Sequence, residues 1–318
     1  MKKIIVFIPA YNEEKMIASV IKKVPKKILG IKTEVLVVND GSKDKTEFKA
    51  KQAGAFIINH SINRGLGQTF QTGIEKAIEL DADIMVNIDA DGQFNPKEIS
   101  KLIAPIINKE ANFVASDRFY NLESNNLVKP HNMPLIKYWG NLLMANLISF
   151  LSNQKFNDVS CGFRAYDRKT LLSLNLIGKF TYTQESFLDL ATKGLRIKTV
   201  PVNVKYFTDR KSRVANNIIK YGFKTLKIII RSFRDYKPLL FFTYLSIVPI
   251  LISLGSGSFL AYHYINNGQF TPYKSLGFIF IYFSTLSFIL LLSGLISDMF
   301  VRLRINQEKI LYLLKNTK

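Results

Sequence analysis

The chain has 318 residues, room for about two domains of roughly 150 residues each, and its single cysteine, Cys161, excludes an internal disulfide, which fits an intracellular setting. Because 47% of the residues are hydrophobic and only 21% are charged, the chain can bury a sizeable core, and a largely disordered protein is excluded. The net charge of +20 predicts an acidic partner, which could be nucleic acid, an anionic membrane surface or a phosphorylated substrate.

Strands and helices alternate over the first 90 residues. Apolar runs of strand length are found at 1–10, 34–38, 55–58 and 84–88, and stretches with apolar residues at helical spacing separate them at 13–24, 44–53 and 67–80. The first run lacks a signal-peptide cleavage site and is interpreted as a buried strand. This β-α-β-α-β order predicts an α/β fold, a mostly parallel sheet flanked by helices, with ligand sites at the carboxyl ends of the strands. Asn95, followed by Pro96 and Glu98, predicts a helix start.

A basic segment follows the predicted α/β domain. Residues 202–238 carry ten lysines and arginines against two aspartates, so much of the excess charge lies here. Lys220, Lys224, Lys227, Arg231 and Arg234 form one helical stripe, and apolar residues one position earlier form an adjacent stripe. We therefore expect a cytoplasmic catalytic domain at 1–212 and a basic amphipathic helix at 213–238 that lies on an anionic membrane surface. A second interfacial helix is expected at 134–152.

Two long apolar segments come next, at 239–265 and 276–300, and the only charged residue in them is Asp298. Each is long enough to cross a hydrocarbon core of about 30 Å as a helix. Basic residues flank the pair on both outer sides, whereas the loop between the segments contains only Lys274. The positive-inside rule thus places both termini, the catalytic domain and a basic tail at 301–318 in the cytoplasm of a multi-pass protein of the inner (cytoplasmic) membrane or its equivalent.

Chemistry-bearing residues follow the predicted strands. Asp89 and Asp91 come directly after the strand at 84–88, and two carboxylates in this position can bind one hard divalent cation together with substrate phosphates. The segments 8–14 and 38–44 follow two neighbouring strands, so their polar residues are expected at the same edge of the sheet. The glycine-rich stretch at 63–67 has neither the third glycine of a dinucleotide fingerprint nor the G-K-[ST] of a P-loop. The whole pattern predicts a nucleotide pocket.

Six motifs in order along the chain, IPAYNEE, VVNDGSKDKT, NRGLGQTFQTGI, DADGQFNP, DVSCGFRAY and YTQESFLDL, resemble the motif series of family 2 glycosyltransferases. This family has the GT-A fold, and the chain is most similar to its polyprenyl-phosphate hexosyltransferase branch, which includes dolichyl-phosphate mannose synthase. The resemblance extends from residue 1 to about 237, and several members of the family have a similar pair of C-terminal spans.

The resemblance implies roles for individual residues. The nucleoside would be held by Pro9, Tyr11, Glu13 and Asp40, and the metal and the nucleotide diphosphate by Asp89, Asp91 and Gln93. The acceptor phosphate would be bound by Arg118, Lys137 and Asn141, and the diphosphate would be covered by Arg210 and Arg213. Asp89, Asp91 and Arg118 are the implied catalytic residues. The chain departs from the family pattern on the acceptor side, because Ser116 and Asp117 replace Gly-Ser and Asn141 replaces a serine.

The implied activity is the inverting, Mg²⁺- or Mn²⁺-dependent transfer of a hexose from GDP-mannose, UDP-glucose or UDP-N-acetylglucosamine to a dolichyl or undecaprenyl phosphate. The acceptor is already an anion at neutral pH, so no general base is needed, and Glu185 is assigned a structural or donor-orienting role. One alternative is a processive polysaccharide synthase, although Trp139 is not part of a Q-x-x-R-W motif. Another is a non-catalytic membrane scaffold. Nucleic acid is not expected as a partner, because the basic segment adjoins the membrane spans. The spans also offer a surface through which a homo-oligomer could form.

Overall fold

The computed structural model describes residues 2–121, 126–175, 182–206, 227 and 230–316. The chain forms two compact units, Met1–Gly222 together with Tyr312–Lys318, and Phe223–Leu311. The first unit contains the strands β1 Lys3–Ala10, β2 Lys27–Ile28, β3 Ile31–Asn39, β4 Phe56–Asn59, β5 Ile84–Asn87, β6 Phe113–Asp117, β7 Tyr120–Asn121, β8 Asn126–Leu127, β9 Arg164–Asp167 and β10 Ile197–Pro201. Its helices are α1 Ile17–Lys23, α2 Thr46–Gln52, α3 Leu66–Glu79, α4 Ile99–Ile107, α5 Leu135–Ser152, α6 Arg168–Ser173 and α7 Tyr182–Thr192.

The main sheet has the strand order β10-β6-β9-β5-β1-β3-β2, and β4 pairs with the end of β3. β3 and β5 run parallel to β1, and β10 runs parallel to β6. β9 is antiparallel to both β5 and β6, so these two strands point the same way as β1. The carboxyl ends of β1, β3, β5, β6 and β10 therefore share one edge of the sheet, which we call the rim, and β9 starts from the same edge.

The sequence explains why this sheet is buried. β1 reads KIIVFIPA, and its residues 4–8 are fully buried, as expected for a central parallel strand covered by helices on both faces. The α3 helix carries its buried residues, among them Phe70, Ile74 and Ala77, on one face. The ring of Phe70 packs 6.1 Å from Phe7 of β1 and 3.9 Å from Tyr182, so this layer connects the first strand to α7.

The α/β prediction is confirmed, with differences at element boundaries. α1 begins at Ile17 rather than at residue 13, because residues 14–16 form a turn in which the N–H groups of Met16 and Ile17 both donate to the Glu13 carbonyl. The N–H groups of Glu13 and Glu14 donate to Thr46 Oγ1 and Asp44 Oδ2. Asn95 caps a 3₁₀ turn, Pro96–Glu98, that leads into α4, as predicted. Glu98 does not reach back to the cap, however, since its carboxylate forms an ion pair with Lys101.

The second unit is built on two long helices, α8 Pro238–Asn267 and α9 Lys274–Asn316, both long and apolar enough to cross a membrane. They pack closely at Gly257, where a Cβ atom would lie only 2.8 Å from the Phe280 ring. α9 continues well beyond residue 300, so most of the predicted basic tail is helical. Of the predicted amphipathic helix at 213–238, residue 227 and residues 230–236 are described and are helical. The remainder up to 229 lies outside the described residues.

Candidate active site

Hydrogen bonds connect the two loops that follow β1 and β3 at the rim. The backbone N–H of Asn12 donates to Ser42 Oγ at 2.9 Å, and the Asn12 side-chain oxygen accepts from the N–H of Lys43 at 2.9 Å. Gly41, with φ +70°, is required here, because a Cβ atom would lie 2.6 Å from the carbonyl carbon of Ile62. Three loops of the rim are thus held against one another by the chain itself.

Asp40, at the end of β3, fixes the third of these loops. Its carboxylate accepts hydrogen bonds from the backbone N–H groups of Arg64 and Gly65, both at 2.9 Å, and lies 2.7 Å from His60 Nδ1. Burial alone would raise the pKa of Asp40, but these hydrogen bonds outweigh burial and hold the pKa below its ordinary value. Asp40 therefore orders the glycine-rich loop at the N-terminus of α3, and its contact with a nucleoside stays a prediction.

A cavity of about 510 Å³ lies between these loops. The residues that line it include Tyr11, Asn39 and Asn59, and Asn39 Nδ2 donates a hydrogen bond to Asn59 Oδ1 at 2.9 Å. Of the predicted nucleoside ligands, Tyr11 lines this cavity. Pro9 lies in β1, and Glu13 follows at the start of the next loop.

The predicted metal ligands follow β5. Burial, followed by repulsion from Asp91, raises the pKa of Asp89 to about 7. Asp91 Oδ1 accepts the backbone N–H of Gln93 at 3.0 Å, so the loop presents both acids in a fixed turn. Within the described part of the chain no group of three or more His, Cys, Asp or Glu side chains is placed to hold a metal ion by itself. Two carboxylates whose repulsion a cation would relieve fit Mg²⁺ or Mn²⁺, which proteins commonly hold with one or two carboxylates plus substrate phosphates.

Gly162 supports Asp89 from the segment that enters β9. A Cβ atom on Gly162 would lie 3.1 and 3.2 Å from the two carboxylate oxygens of Asp89. The Gly162 carbonyl in turn accepts a 2.5 Å hydrogen bond from Asn87 Nδ2, which also donates to the Tyr182 hydroxyl at 2.6 Å. A side chain at this position would press on the carboxylate, so the glycine allows the segment to approach Asp89 closely.

Arg118, directly after β6, is held by an acid that sequence reasoning missed. Its Nε and Nη2 donate to the two oxygens of Asp158 at 2.6 and 2.9 Å, and Nη1 donates to the Tyr206 hydroxyl at 3.2 Å. Asp158 is completely buried, which would raise its pKa, but the Arg118 guanidinium outweighs burial and lowers it. The preceding Asp117 accepts the N–H groups of Phe119 and Tyr120, which gives a structural reason for an acid in place of serine.

Lys137 and Asn141 lie one turn apart on α5. Lys137 forms no hydrogen bond or ion pair with any described residue, and its ammonium group lies 5.7 Å from the centre of the Tyr206 ring. Burial, then repulsion from Arg118, lowers its pKa. Asn141 is only 4% exposed, and its Oδ1 accepts from Ser160 Oγ at 2.7 Å. Its Nδ2 is buried, and no described group accepts a hydrogen bond from it.

Acidic and basic residues predicted for the site therefore come together at the rim. Asp89 interacts electrostatically with Glu13, Asp91 and Arg118, and Lys137 interacts with Asp91 and Arg118. Arg210 and Arg213 lie outside the described residues. Glu185 is in the first turn of α7. The residues that sequence reasoning missed, Asp158, Ser160 and Gly162, all belong to the DVSCGFRAY motif, which was the signal that could have found them.

Comparisons with known proteins agree with this architecture. The family model described as "Glycosyl transferase family 2" matches residues 5–173. The UDP-N-acetylglucosamine--dolichyl-phosphate N-acetylglucosaminyltransferase of Methanococcus voltae is 36% identical over 243 residues, covering 70% of this chain and 93% of that protein. A dolichyl-phosphate beta-glucosyltransferase of Trichomonas vaginalis is 27% identical, covering 70% of this chain and 72% of that protein.

Among solved structures, glucosyl-3-phosphoglycerate synthase from Mycobacterium tuberculosis, crystallised with Mn²⁺, UDP and its product, has a TM-score of 0.54. The two proteins are 22% identical, and the match covers 73% of this chain and 79% of that one. This likeness confirms the fold, and the family model together with the archaeal relative confirms the resemblance read from the motifs. The chain is a glycosyltransferase and belongs to glycosyltransferase family 2.

Proposed function

We propose that the protein transfers one hexose from a UDP-sugar to the phosphate of a polyprenyl phosphate at the cytoplasmic face of a membrane. The observation that carries this proposal is the pairing of opposite charges at the rim: two acids follow β5, and the cations Arg118 and Lys137 lie opposite them, after β6 and on α5. A nucleoside diphosphate needs a cation at its leaving end, and a lipid phosphate needs hydrogen-bond donors, so each half suits one substrate.

The relatives support the identities of the substrates. Several are named as dolichyl-phosphate glycosyltransferases, and the relative that is 36% identical is named for UDP-N-acetylglucosamine. We therefore propose UDP-N-acetylglucosamine as the first donor to test and UDP-glucose as the second, and GDP-mannose is offered as the comparison that tests the preference for UDP. Mg²⁺ and Mn²⁺ both remain candidates for the cation.

The proposed reaction is a direct displacement with inversion. An oxygen of the lipid phosphate attacks the anomeric carbon, the bond from that carbon to the diphosphate breaks, and UDP leaves. Bound by Asp89 and Asp91 next to Gln93, Mg²⁺ or Mn²⁺ would supply positive charge that stabilises the leaving diphosphate. The lipid phosphate has a second pKa of about 6 and is mostly a dianion at neutral pH, so no side chain has to remove a proton from it. Arg118, Lys137 and Asn141 orient it.

A membrane-facing catalytic unit follows from the chemistry of the acceptor, because a polyprenyl tail stays in the bilayer. α5 buries one face, which includes Met144 and Ile148, and exposes large apolar side chains on the other, with Trp139 65% and Leu143 60% exposed. We propose that this exposed face of α5 and the basic helix predicted at 213–238 lie on the membrane surface, and that α8 and α9 span the bilayer with both termini in the cytoplasm. Self-association through these two helices stays a prediction.

The test is a transfer assay with the full chain in membranes or detergent. Radiolabelled UDP-N-acetylglucosamine, UDP-glucose and GDP-mannose are offered separately with polyprenyl phosphate and Mg²⁺ or Mn²⁺, and the organic phase is counted. We expect a metal-dependent lipid product from one UDP-sugar, and none from membranes that contain Asp89→Asn. Mass spectrometry should find one sugar per lipid.

Two results would overturn the proposal in different ways. If no donor gives a lipid-linked sugar while a dolichyl-phosphate glycosyltransferase gives its product in parallel, the acceptor assignment is wrong. If the lipid carries a chain of sugars, or if a water-soluble polymer forms, a processive synthase is the better description.

A further inference from the structure

One short segment between α5 and β9, residues 158–160, contacts two of the groups assigned to the acceptor phosphate. Its first residue, Asp158, is completely buried and accepts the two-pronged hydrogen bond from the Arg118 guanidinium. The same carboxylate accepts the backbone N–H of Ser160 at 3.0 Å and that of Arg118 at 3.3 Å. Asp158 therefore fixes the orientation of Arg118 and, at the same time, the conformation of its own segment.

The third residue of the segment orients the other group. The Ser160 hydroxyl donates to Asn141 Oδ1 at 2.7 Å, so the oxygen end of the amide faces the segment. The opposite end, Nδ2, is then a buried donor, and no described residue accepts from it. Buried donors are nearly always hydrogen-bonded in folded proteins, so this one indicates an acceptor group that arrives with a ligand. Lys137, one turn earlier on the same helix, adds a cation without an ion-pair partner in the described chain.

We propose that Asp158 and Ser160 are positioning residues for the acceptor phosphate. The inference rests on the proposed function, because it takes the lipid phosphate as the ligand. Asp158 uses two of the five N–H donors of Arg118 and locks the plane of the guanidinium, and Ser160 turns the NH₂ group of Asn141 toward the phosphate. Asn141 stands where the family usually has a serine. In this chain the hydroxyl belongs to Ser160 in the neighbouring segment, and it acts by orienting the Asn141 amide.

This arrangement also distributes charge in a specific way. The negative charge of Asp158 offsets the positive charge of Arg118, so the pair contributes oriented hydrogen bonds, and Lys137 adds a positive charge that forms no ion pair with a described carboxylate. A ligand that only accepts hydrogen bonds, such as a phosphate dianion, suits an NH₂ group, a guanidinium and an ammonium together.

Substitutions at Ser160 test the inference with full-length protein and steady-state kinetics. We expect Ser160→Ala to raise the KM for polyprenyl phosphate by about three- to tenfold, the usual range for loss of one hydrogen bond, and to leave the KM for the UDP-sugar unchanged. Ser160→Thr keeps the hydroxyl and should restore the acceptor KM to within about twofold of the parent. Ser152→Ala, which removes a serine hydroxyl bonded to Ile148 O near the end of α5, is the matched control.

If Ser160→Ala unfolds at a lower temperature than the parent protein, a second variant tests the same inference. Asn141→Asp still accepts from Ser160 but presents an anion to the phosphate, so its acceptor KM should rise more than that of Ser160→Ala. An unchanged acceptor KM in both variants, or an equal rise in the KM for both substrates, would overturn the positioning role. Failure of the parent protein to transfer sugar to the lipid would instead overturn the proposed function.

Discussion

The two halves of the candidate site differ in how their charges are balanced. In the terms of the proposed function, the donor side is the half after β5 with Asp89 and Asp91, and the acceptor side is the half with Arg118 and Lys137. On the donor side Asp89 and Asp91 lie together, and burial and mutual repulsion raise the pKa of Asp89 to about 7. On the acceptor side Arg118 is already paired with a buried acid, and the pKa of Asp158 is lowered although burial alone would raise it. A cation from outside the chain would relieve this repulsion on the proposed donor side, whereas on the proposed acceptor side the charge of Arg118 is already balanced. We therefore expect substitutions on the acceptor side to change mainly how the lipid phosphate is oriented. The salt dependence of acceptor binding should come mainly from Lys137.

Loss of an acid on the donor side should have the largest effect. We expect Asp89→Asn to lower kcat/KM by about 10²–10³-fold, as removal of one electrostatic contact to a transition state typically does. Chelation of divalent cations should lower the activity of the parent protein at least as much. Asp81→Asn is the matched control, because it removes the same charge from an exposed side chain before β5, and it should keep parental rates. Full activity of Asp89→Asn would show that the two acids do not act on the donor, and the proposed difference between the two sides would then be wrong.

Lys137 should show the next largest effect, because its positive charge forms no ion pair with a described carboxylate. We expect Lys137→Gln to raise the KM for polyprenyl phosphate by about tenfold, equivalent to roughly 1.4 kcal/mol. The parent's acceptor KM should increase with NaCl concentration, and that of the variant should change much less. Lys155→Gln, an exposed lysine beyond the end of α5, should behave like the parent. Equal salt dependence in parent and Lys137→Gln would show that the salt dependence does not come from Lys137.

The sequence predicted the donor side better than the acceptor side for a physical reason. Asp89 and Asp91 follow a buried strand of a β-α-β series, so the topology of a parallel sheet was enough to bring them to the rim. The pairing of Asp158 with Arg118 joins residues 40 positions apart, and nothing in the local pattern around Asp158 indicates a partner. The motif resemblance located Arg118 but gave no information on what holds it.

The strand β9 shows a second limit. Its sequence, RAYD, is short and begins with an arginine, so periodicity did not predict a strand, and its antiparallel place between β5 and β6 depends on tertiary packing. Arg164 is nevertheless fully buried, because its guanidinium donates to the carbonyls of Val159, Cys161 and Thr183. Such neutral partners are invisible in a sequence.

The raised pKa of Asp89 also predicts how stability depends on pH. In the metal-free fold this carboxyl keeps its proton up to about pH 7, whereas the unfolded chain releases it near pH 4, so its ionisation lowers stability as the pH rises through that window. With EDTA present we expect Asp89→Asn to melt above the parent at pH 8, by about 2–4 °C for each kcal/mol relieved, and this advantage should shrink at pH 5. Differential scanning fluorimetry measures both.

Mn²⁺ together with UDP should reverse that ranking at pH 8, since only the parent keeps both carboxylates for the cation. Asp81→Asn should follow the parent at both pH values. A variant that melts below the parent at pH 8 in EDTA would show that the two acids do not destabilise the metal-free fold.

The smallest effect is expected from Trp139, and it separates the lipid tail from the phosphate within the acceptor side. Trp139 is 65% exposed on the apolar face of α5 that we propose meets the membrane. Trp139→Ala should raise the KM for a long-chain polyprenyl phosphate by about two- to fivefold, corresponding to less than about 1 kcal/mol, because interfacial contacts of one ring are weak. The KM for the UDP-sugar should not change. Phe48→Ala, which removes an aromatic ring that is 60% exposed on α2, is the control.

A short-chain acceptor separates the effect of the lipid tail from that of the phosphate more directly. A phosphate carried by a water-soluble prenyl group needs Arg118, Lys137 and Asn141 but not the bilayer, so Trp139→Ala should use it as well as the parent does. Lys137→Gln should be impaired with both the short and the long acceptor, since the phosphate is common to them. If Trp139→Ala lowers the use of the short acceptor as strongly as that of the long one, the ring acts on the geometry of α5, and the exposed face of that helix does not contact the membrane.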